Sequence, residues 1–174
     1  LENALVALNM FMSKNSDEAN EYAMHLKELN DERKDLTAMN VKVAVELAER
    51  EYAEDDILVI YLENCHESIA GIIAGRVREA LGKPTIILTD AFGEDGMIKG
   101  SGRSIESYNM FEALYEVKDI FEKFGGHHMA AGMSLKKDRL DEFRKRLNEN
   151  SKLTKEDFIQ KIWIDVPLPF SYIS

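Results

Sequence analysis

The sequence predicts an α/β fold: a mixed sheet with a βαβ unit flanked by helices, preceded by a long connecting helix. Three observations lead to it. Residues 17–53 contain no Pro or Gly and are compatible with one continuous helix. Residues 57–62 and 85–89 are short apolar runs, typical of strands buried on both faces. Because a helical stretch separates the two runs, the strands should be parallel and joined by a right-handed crossover.

Composition limits the kind of partner. The 174-residue chain has a net charge of −10, which argues against a broad basic face of the kind that coats duplex DNA. A narrow groove with a few well-placed cations stays open. The single cysteine, Cys65, excludes an intramolecular disulfide and fits a reducing cytoplasm. No apolar run approaches the ~18 residues of a membrane span. We therefore expect a cytoplasmic protein without a membrane partner.

The first residues predict a helix that continues from elsewhere. The chain begins at Leu1 rather than Met, within an apolar pattern, and we expect it to be a piece of a longer protein. Residues 1–12 are predicted to be the end of a helix, followed by a short break. Asn15 or Ser16 can cap the next helix, and Glu18 is placed to return a hydrogen bond to Asn15.

The long helix has the pattern of a bridge. Over residues 17–53 it would span ~50 Å, which is typical of an element that connects two bodies. Apolar residues recur along it at heptad spacing, and Arg33 and Asn40 interrupt the stripe. This polar pair either sets the register or faces a ligand. We predict one unbroken helix that stands apart from the α/β body, because its stripe has only residues 1–12 as a partner.

The crossover helix carries an arginine that needs an anion. The helix is predicted over residues 68–81 and ends at Gly82. At ~100° per residue, Arg76 falls within the apolar arc and Arg78 points almost oppositely. A guanidinium on the packed side requires a negative partner. That partner is either a carboxylate of the fold or a phosphate ligand, and the helical geometry does not choose between them.

Two glycine-containing segments follow. A turn at residues 93–96 should lead into an antiparallel strand around residues 97–100, and a loop then offers N–H groups, hydroxyls and a forked cation. A helix predicted over residues 110–123 delivers the chain into Gly125 and Gly126. These glycines allow positive φ, and with the next histidine they would form a seat for a phosphate at a helix exit. The alternative is a tight turn with two surface histidines.

The rest of the chain completes the body and leaves it. Residues 133–135 are predicted as a short strand, and residues 138–148 as a helix whose basic side chains form a solvated face. Residues 158–164 alternate like a further strand.

Three motifs resemble those of a known superfamily. Residues 125–132, Gly-Gly-His-His-Met-Ala-Ala-Gly, match the Gly-Gly-His-x-x-Ala-Ala-Gly signature of the DHH-associated domain of DHH-superfamily phosphoesterases. Residues 100–104 resemble the Gly-Ser-Gly-Arg-Ser of the RecJ family of single-strand exonucleases. Residues 65–76 resemble the RecJ segment Trp-His-x-Gly-Val-Ile-Gly-Ile-Val-Ala-Ser-Arg. Here Cys65, Ser68 and Gly75 depart from the RecJ pattern.

The resemblance covers nearly the whole chain. Asn30 and Arg33 match an Asn and an Arg of the RecJ connecting helix, and residues 165–169 are similar to the entry into the RecJ oligonucleotide-binding barrel. It implies three parts: residues 1–53 as a helical connector from a missing N-terminal DHH domain, residues 54–152 as the DHH-associated α/β domain, and residues 153–174 as a linker and first strand of a missing barrel.

The resemblance implies the substrate-binding half of a 5′-to-3′ single-stranded-DNA exonuclease that acts in DNA repair and recombination. Its partner would be the 5′ end of single-stranded DNA, with replication or repair proteins as further, unidentified partners. The family's Mn²⁺ or Mg²⁺ ligands lie in the DHH domain, and no Asp-His-His motif occurs in this sequence. We therefore expect no metal ligands here, and no cleavage by this chain alone.

The resemblance also implies roles for particular residues. His127 would stabilise the scissile phosphate as the catalytic residue of this half, assisted by the amides near Gly125 and Gly126. His66 would support the same pocket. The terminal 5′-phosphate would be held, and the polarity set, by Arg76, Ser101, Gly102 and Arg103.

Two other functions stay open. One is a nanoRNase or cyclic-dinucleotide phosphodiesterase of the same superfamily, although the Gly-Ser-Gly-Arg-Ser segment and the barrel-like tail favour RecJ. The other is a non-catalytic module that binds single-stranded nucleic acid, in which the arginines only stabilise the fold.

Overall fold

The computed structural model describes residues 4–159, 161–162 and 164–172. Within these ranges, five helices and five strands make up the fold. The helices are α1 (Leu5–Met12), α2 (Ser16–Glu51), α3 (Ala70–Leu81), α4 (Met110–Glu116) and α5 (Leu140–Glu149). The strands are β1 (Leu58–Tyr61), β2 (Thr85–Asp90), β3 (Met97–Arg103), β4 (Phe121–His127) and β5 (Ala130–Lys136). Short 3₁₀ turns lie at Glu67–Ile69, Lys118–Ile120, Lys137–Arg139, Lys155–Phe158 and Phe170–Tyr172.

The strands form one mixed sheet in the order β1-β2-β3-β5-β4. β1 and β2 run parallel, with α3 between them in sequence, and the other neighbours are antiparallel. This confirms the predicted α/β class, the mixed sheet and the βαβ unit. The crossover helix ends where predicted, because Gly82 takes a left-handed conformation with φ of 67°.

Two apolar layers cover the sheet on its two sides. On one side α2 and α3 pack over β1 and β2, and the largest buried side chains there include Leu58, Ile60, Ile73 and Ile87. On the other side α4 and α5 pack over the whole width of the sheet, from Val59 of β1 to Phe124 of β4. The first layer is narrower than the second. Part of the sheet on the α3 side therefore stays uncovered.

The connecting helix is one element, as predicted. Asn15 caps it by accepting a hydrogen bond from the Glu18 N–H at 2.9 Å, and the Glu18 carboxylate accepts one from the Lys14 N–H at 3.1 Å. Its last turns do not stand apart, because Ala44 and Ala48 are buried against α3 and β1. That part of the prediction is wrong. Small side chains, which a stripe of large apolar residues does not reveal, let the two helices approach.

The helix predicted over residues 110–123 is also wrong at its end. α4 stops at Glu116, a 3₁₀ turn follows, and Phe121–His127 is strand β4 at the edge of the sheet. Leu114, Val117 and Ile120 keep a helical spacing and are all buried. The helical spacing of buried residues therefore continues through the 3₁₀ turn. The residues after it are nevertheless extended, because they pair with β5.

The C-terminal helix and the tail differ from expectation as well. Arg144 is not solvated, because its Nε donates to the Val59 carbonyl at 3.0 Å and its guanidinium stacks 4.5 Å from the centre of the Tyr52 ring. The described residues 159, 161–162 and 164 form no strand, and Gln160 and Trp163 lie outside the described residues. A strand needs a hydrogen-bonded neighbour, and the described part of the chain provides none there.

Candidate functional site

On the α3 side of the sheet, α3 contacts β3 and leaves β5 and β4 open. Residues directly opposite each other on antiparallel strands point to the same side, so three rows of side chains cross these strands. We call the nine positions of these rows the open face. They are Lys99, Ser134 and Lys123 in the first row, Ser101, Gly132 and Gly125 in the middle row, and Arg103, Ala130 and His127 in the third row.

The middle row forms a floor without side-chain cover. A Cβ atom added at Gly125 would meet no atom within 4 Å, and at Gly132 the nearest atom would be 3.9 Å away. A cleft of about 540 Å³ lies above this row and the first row, and Glu67 and Ser68 before α3 form its wall. The backbone of another molecule can therefore approach these strands closely.

The predicted position of the anion seat, at a helix exit, is wrong. Gly125 and Gly126 lie within β4, and neither has a positive φ. Gly126 faces the closed side, where a Cβ atom would collide with Ala131, and Gly102 points the same way, with the Met110 Sδ only 3.1 Å from where its Cβ would lie. Of these three glycines, only Gly125 faces the cleft. Gly126 therefore allows close packing against β5 on the closed side, and Gly125 leaves the floor of the cleft uncovered.

Arg103 is held against the open face by α3. A Cβ atom at Gly71 would lie 2.8 Å from the Arg103 Nη2 and 3.2 Å from the Ser101 Oγ. The Arg103 Nη1 donates to the Gly102 carbonyl at 2.8 Å. In the described part of the chain, no carboxylate forms an ion pair with this half-buried guanidinium. No carboxylate of the described residues therefore neutralises its charge, and the Ser101 hydroxyl lies near the same point of α3.

The histidines near the sheet separate into different roles. His127 is exposed at the end of the third row, beyond Ala130 from Arg103. The His128 Nε2 lies 2.9 Å from the Glu106 carbonyl oxygen and can contact it only as a donor, so this ring stabilises a loop. The His66 Nδ1 accepts from the Ser68 N–H at 3.2 Å and caps the 3₁₀ turn at the cleft wall. Of these three histidines, only His127 offers its ring to the open face.

Arg76 is not where its helical position predicts. Its side chain is 68% exposed, and its Nη1 lies 3.9 Å from the Glu79 carboxylate. It lines a groove between α3 and α2 together with Arg33, away from the rows of the open face. The buried side of α3 is defined by Ala70, Ile73, Ala74 and Val77, and this arc excludes position 76. The prediction of a packed Arg76 is therefore wrong.

Arg78, predicted to point almost oppositely to Arg76, is the more enclosed of the two arginines. Its Nε is buried and has no hydrogen-bond partner among the described residues, and its Nη2 contacts the Glu79 carboxylate at 3.3 Å. Gly71, Gly75 and Arg78 follow a helical i, i+4, i+7 spacing. This spacing was the available signal that α3 turns this side towards β3.

Sequence reasoning also missed the first row of the open face. Lys123 and Ser134 lie in segments that were predicted as helix and as a strand of three residues, so their faces were not defined. Lys99 was placed in a strand expected to end near residue 100, before a loop. The alternation of Lys99, Ser101 and Arg103 was the signal, because a strand over Met97–Arg103 puts all three on one side.

Comparison with known proteins gives the family. Residues 54–152 match the model of the DHHA1 domain. The chain belongs to the DHHA1 domain family. This DHHA1 chain is 37% identical over 168 residues to the single-stranded-DNA-specific exonuclease RecJ of Bacillus subtilis, an alignment that covers 95% of this chain and 21% of that protein.

Solved structures of relatives share the fold of this DHHA1 chain. Two structures of RecJ from Thermus thermophilus, one in complex with Mn²⁺ and one with Mg²⁺, match with a TM-score of 0.72 at 26% identity. They cover 84% of this chain and 21% or 22% of the solved chains. The chain thus spans about a fifth of the length of these relatives. The resemblance to RecJ seen in the motifs is confirmed.

Two further classes of site do not occur among the described residues. No group of three or more His, Cys, Asp or Glu side chains in residues 4–159, 161–162 and 164–172 is arranged to bind a metal ion. Over the same ranges, no helix combines the length and apolar character that crossing a membrane requires.

Proposed function

We propose that this chain is the substrate-binding half of a RecJ-like exonuclease that hydrolyses the phosphodiester bonds of single-stranded DNA from the 5′ end. One observation carries the proposal: Arg103 and His127 lie in one row of an open sheet face, beside a glycine floor without side-chain cover. The names of the RecJ relatives support it. The same comparison favours a DNA polymer over a dinucleotide as substrate. We further propose a role in DNA repair and recombination, and a cytoplasmic location.

The geometry favours a single strand over a duplex. The cations of the open face are few, and two of them, Lys99 and Lys123, line one cleft, whereas the chain as a whole carries a charge of −10. A duplex needs a wide basic surface, because its affinity depends on many phosphate contacts. A single strand can instead lay its backbone on an uncovered floor between local cations.

The side chains of the open face suit binding and charge stabilisation. Arg103 and Ser101 would donate to the oxygens of a terminal 5′-phosphate, and this contact would set the polarity. His127 would donate to the scissile phosphate and stabilise the charge that develops there. Arg76 would reach the terminal phosphate only by moving its exposed side chain. His66 would act indirectly, by capping the 3₁₀ turn that forms the wall of the cleft.

A divalent cation, Mn²⁺ or Mg²⁺, would supply the hydroxide for hydrolysis. The described residues do not fit such an ion, because they hold no cluster of three ligands. We therefore assign the cation to a DHH domain outside this chain, within a longer polypeptide that would also carry the barrel. Residues 1–53 would connect the DHH domain to the domain at residues 54–152, and residues 153–174 would lead into the barrel.

The test is the discrimination between 5′ ends. In the intact polypeptide, Arg103→Ala should lower kcat/KM on a 5′-phosphorylated strand far more than on a 5′-hydroxyl strand. The difference should be about 1.5–3 kcal/mol, the value of a hydrogen bond to a charged group. His127→Ala should slow both substrates alike, and Lys145→Ala on the far side of the sheet should change neither. Equal losses on the two ends in Arg103→Ala would refute the terminal-phosphate assignment.

A further inference from the structure

Two lysines occupy the end of the open face that the proposed chemistry does not use. Lys99 on β3 and Lys123 on β4 both lie opposite Ser134 of the intervening strand β5. Both line the 540 Å³ cleft, and Lys123 is exposed. These two lysines therefore add a second cationic row to the surface that carries Arg103 and His127.

The spacing of the two cationic rows suits a nucleic-acid backbone. Lys99 and Arg103 are four positions apart, as are Lys123 and His127, which corresponds to ~13 Å along the strands. That length is about four phosphates of a stacked strand, and fewer of an extended one. Only the floor of Ser101, Gly132 and Gly125 lies between the rows. A strand bound at one row can therefore reach the other without meeting a bulky side chain.

The first row already holds an anion, which is the carboxylate of Glu94. The Lys99 Nζ donates to the Glu94 Oε1 at 2.8 Å and lies 3.8 Å from the Glu67 carboxylate. The hydrogen bond and charge of Lys99 lower the pKa of Glu94, and the charge of Lys123 lowers it further. Glu94 contacts the first row through Lys99, from a turn between β2 and β3 whose Gly93 has a φ of 75°.

Glu94 is placed to exchange with a ligand. Its side chain is 51% exposed, it belongs to a turn rather than to the sheet, and among the described residues it forms its ion pair with Lys99. An exposed ion pair is worth little, and a phosphate presents more charge and more acceptor oxygens than a carboxylate.

We propose that Lys99 and Lys123 bind a backbone phosphate of the single strand, and that the Glu94 carboxylate occupies this subsite when no strand is bound. The proposal rests on the proposed function, since it extends the same strand along the open face. It adds a second contact point and a device that weakens binding of short or poorly charged ligands. The alternative is that Lys99 and Glu94 only stabilise the hairpin between β2 and β3.

The test measures binding of this chain to a fluorescein-labelled oligo(dT) between about 50 and 200 mM salt. Each lysine that contacts a phosphate contributes about 0.7 to the slope of log K against log salt for a single strand. Lys99→Gln and Lys123→Gln should each reduce the slope by that amount. Lys145→Gln is the matched control, because Lys145 is an exposed lysine of α5 in an ion pair with Glu149 at 3.8 Å, and it should leave the slope unchanged.

A substitution at Glu94 should change the affinity for the oligonucleotide in the opposite direction. Glu94→Gln should bind the oligonucleotide about two- to fivefold more tightly at low salt, the range of an exposed ion pair, and the gain should fade as salt rises. Glu149→Gln is its control and should have no effect. Thermal unfolding of each variant checks the fold, and Lys99→Arg should retain the slope of the unmodified chain.

The outcomes separate this inference from the proposed function. Unchanged slopes in both lysine variants, or weaker binding by Glu94→Gln, would overturn the lysine subsite while the chain still bound single strands. An unmodified chain that does not bind the oligonucleotide at all would overturn the proposed function itself.

Discussion

A substitution in α3 can disturb the contact between this helix and Arg103 without changing the arginine or any residue of the sheet. Gly71 is the second residue of α3, and its missing side chain makes room for the Arg103 guanidinium. An alanine Cβ there would lie 2.8 Å from the Arg103 Nη2, whereas atoms in good contact are about 3.5–4.0 Å apart. The end of an arginine is flexible. Gly71→Ala should therefore move the guanidinium by about 1 Å and leave the helix in place.

The expected result is a loss of binding without a loss of stability. Alanine is favoured over glycine in a helix by up to about 1 kcal/mol, so the melting temperature should stay constant or rise. A misplaced Arg103 forfeits a charged hydrogen bond worth about 1.5–3 kcal/mol, which is about 10- to 150-fold in affinity. The assay compares 5′-phosphorylated and 5′-hydroxyl oligonucleotides by anisotropy, with thermal unfolding measured in parallel.

Gly75→Ala is the matched control one turn further along α3. Its Cβ would lie 4.0 Å from the Arg103 Cγ, an ordinary contact, so the variant gains helix propensity and keeps the guanidinium in place. It should preserve the preference for a 5′-phosphate. If Gly71→Ala also preserved that preference, or if Gly75→Ala lost as much of it, the inference that α3 positions Arg103 would be refuted.

Two further predictions concern α5. Arg144→Ala should lower the free energy of unfolding by about 1–3 kcal/mol, because it leaves the buried Val59 carbonyl without its donor, whereas Lys145→Ala should change it by less than about 0.5 kcal/mol in urea titrations. Asp119 binds Arg146, which lowers the pKa of this carboxyl to about 2. A carboxyl whose pKa is lowered by folding stabilises the fold at a pH above its ordinary pKa of 3.8. This stabilisation is lost as the pH falls through about 2. Asp119→Asn should therefore flatten the decline in melting temperature between about pH 4 and 2, and an unchanged decline would exclude this ion pair as its cause.

The sequence predicts the central part of the fold well because its signals there are local. Apolar runs bounded by Gly82 and by the turn at residues 93–96 mark the parallel strands and the crossover. Phe121–His127 was missed because β4 is an edge strand that, among the described strands, pairs only with β5. Such pairing depends on contacts along the sheet, which override the helical spacing of the preceding apolar residues.

The motifs predicted which residues form the candidate site, but the sequence pattern predicted their positions only in part. Ser101, Arg103 and His127 share the open face as the resemblance implies, although the two segments meet only through β5. Arg76 was misplaced because the packed side of α3 is lined by small residues, including Ala70 and Ala74, which a search for large apolar side chains underweights. The lysine row required the register of three strands, which no local pattern contains.

The central claim is that the open face binds single-stranded DNA. The most direct measurement is amide chemical-shift mapping of the ¹⁵N-labelled chain during titration with a 5′-phosphorylated oligo(dT). We expect the largest shifts at Ser101, Gly125, His127 and Gly132, and shifts near zero along α5 on the other side of the sheet. Shifts concentrated on α5, or on the groove between α2 and α3 that contains Arg76, would contradict it.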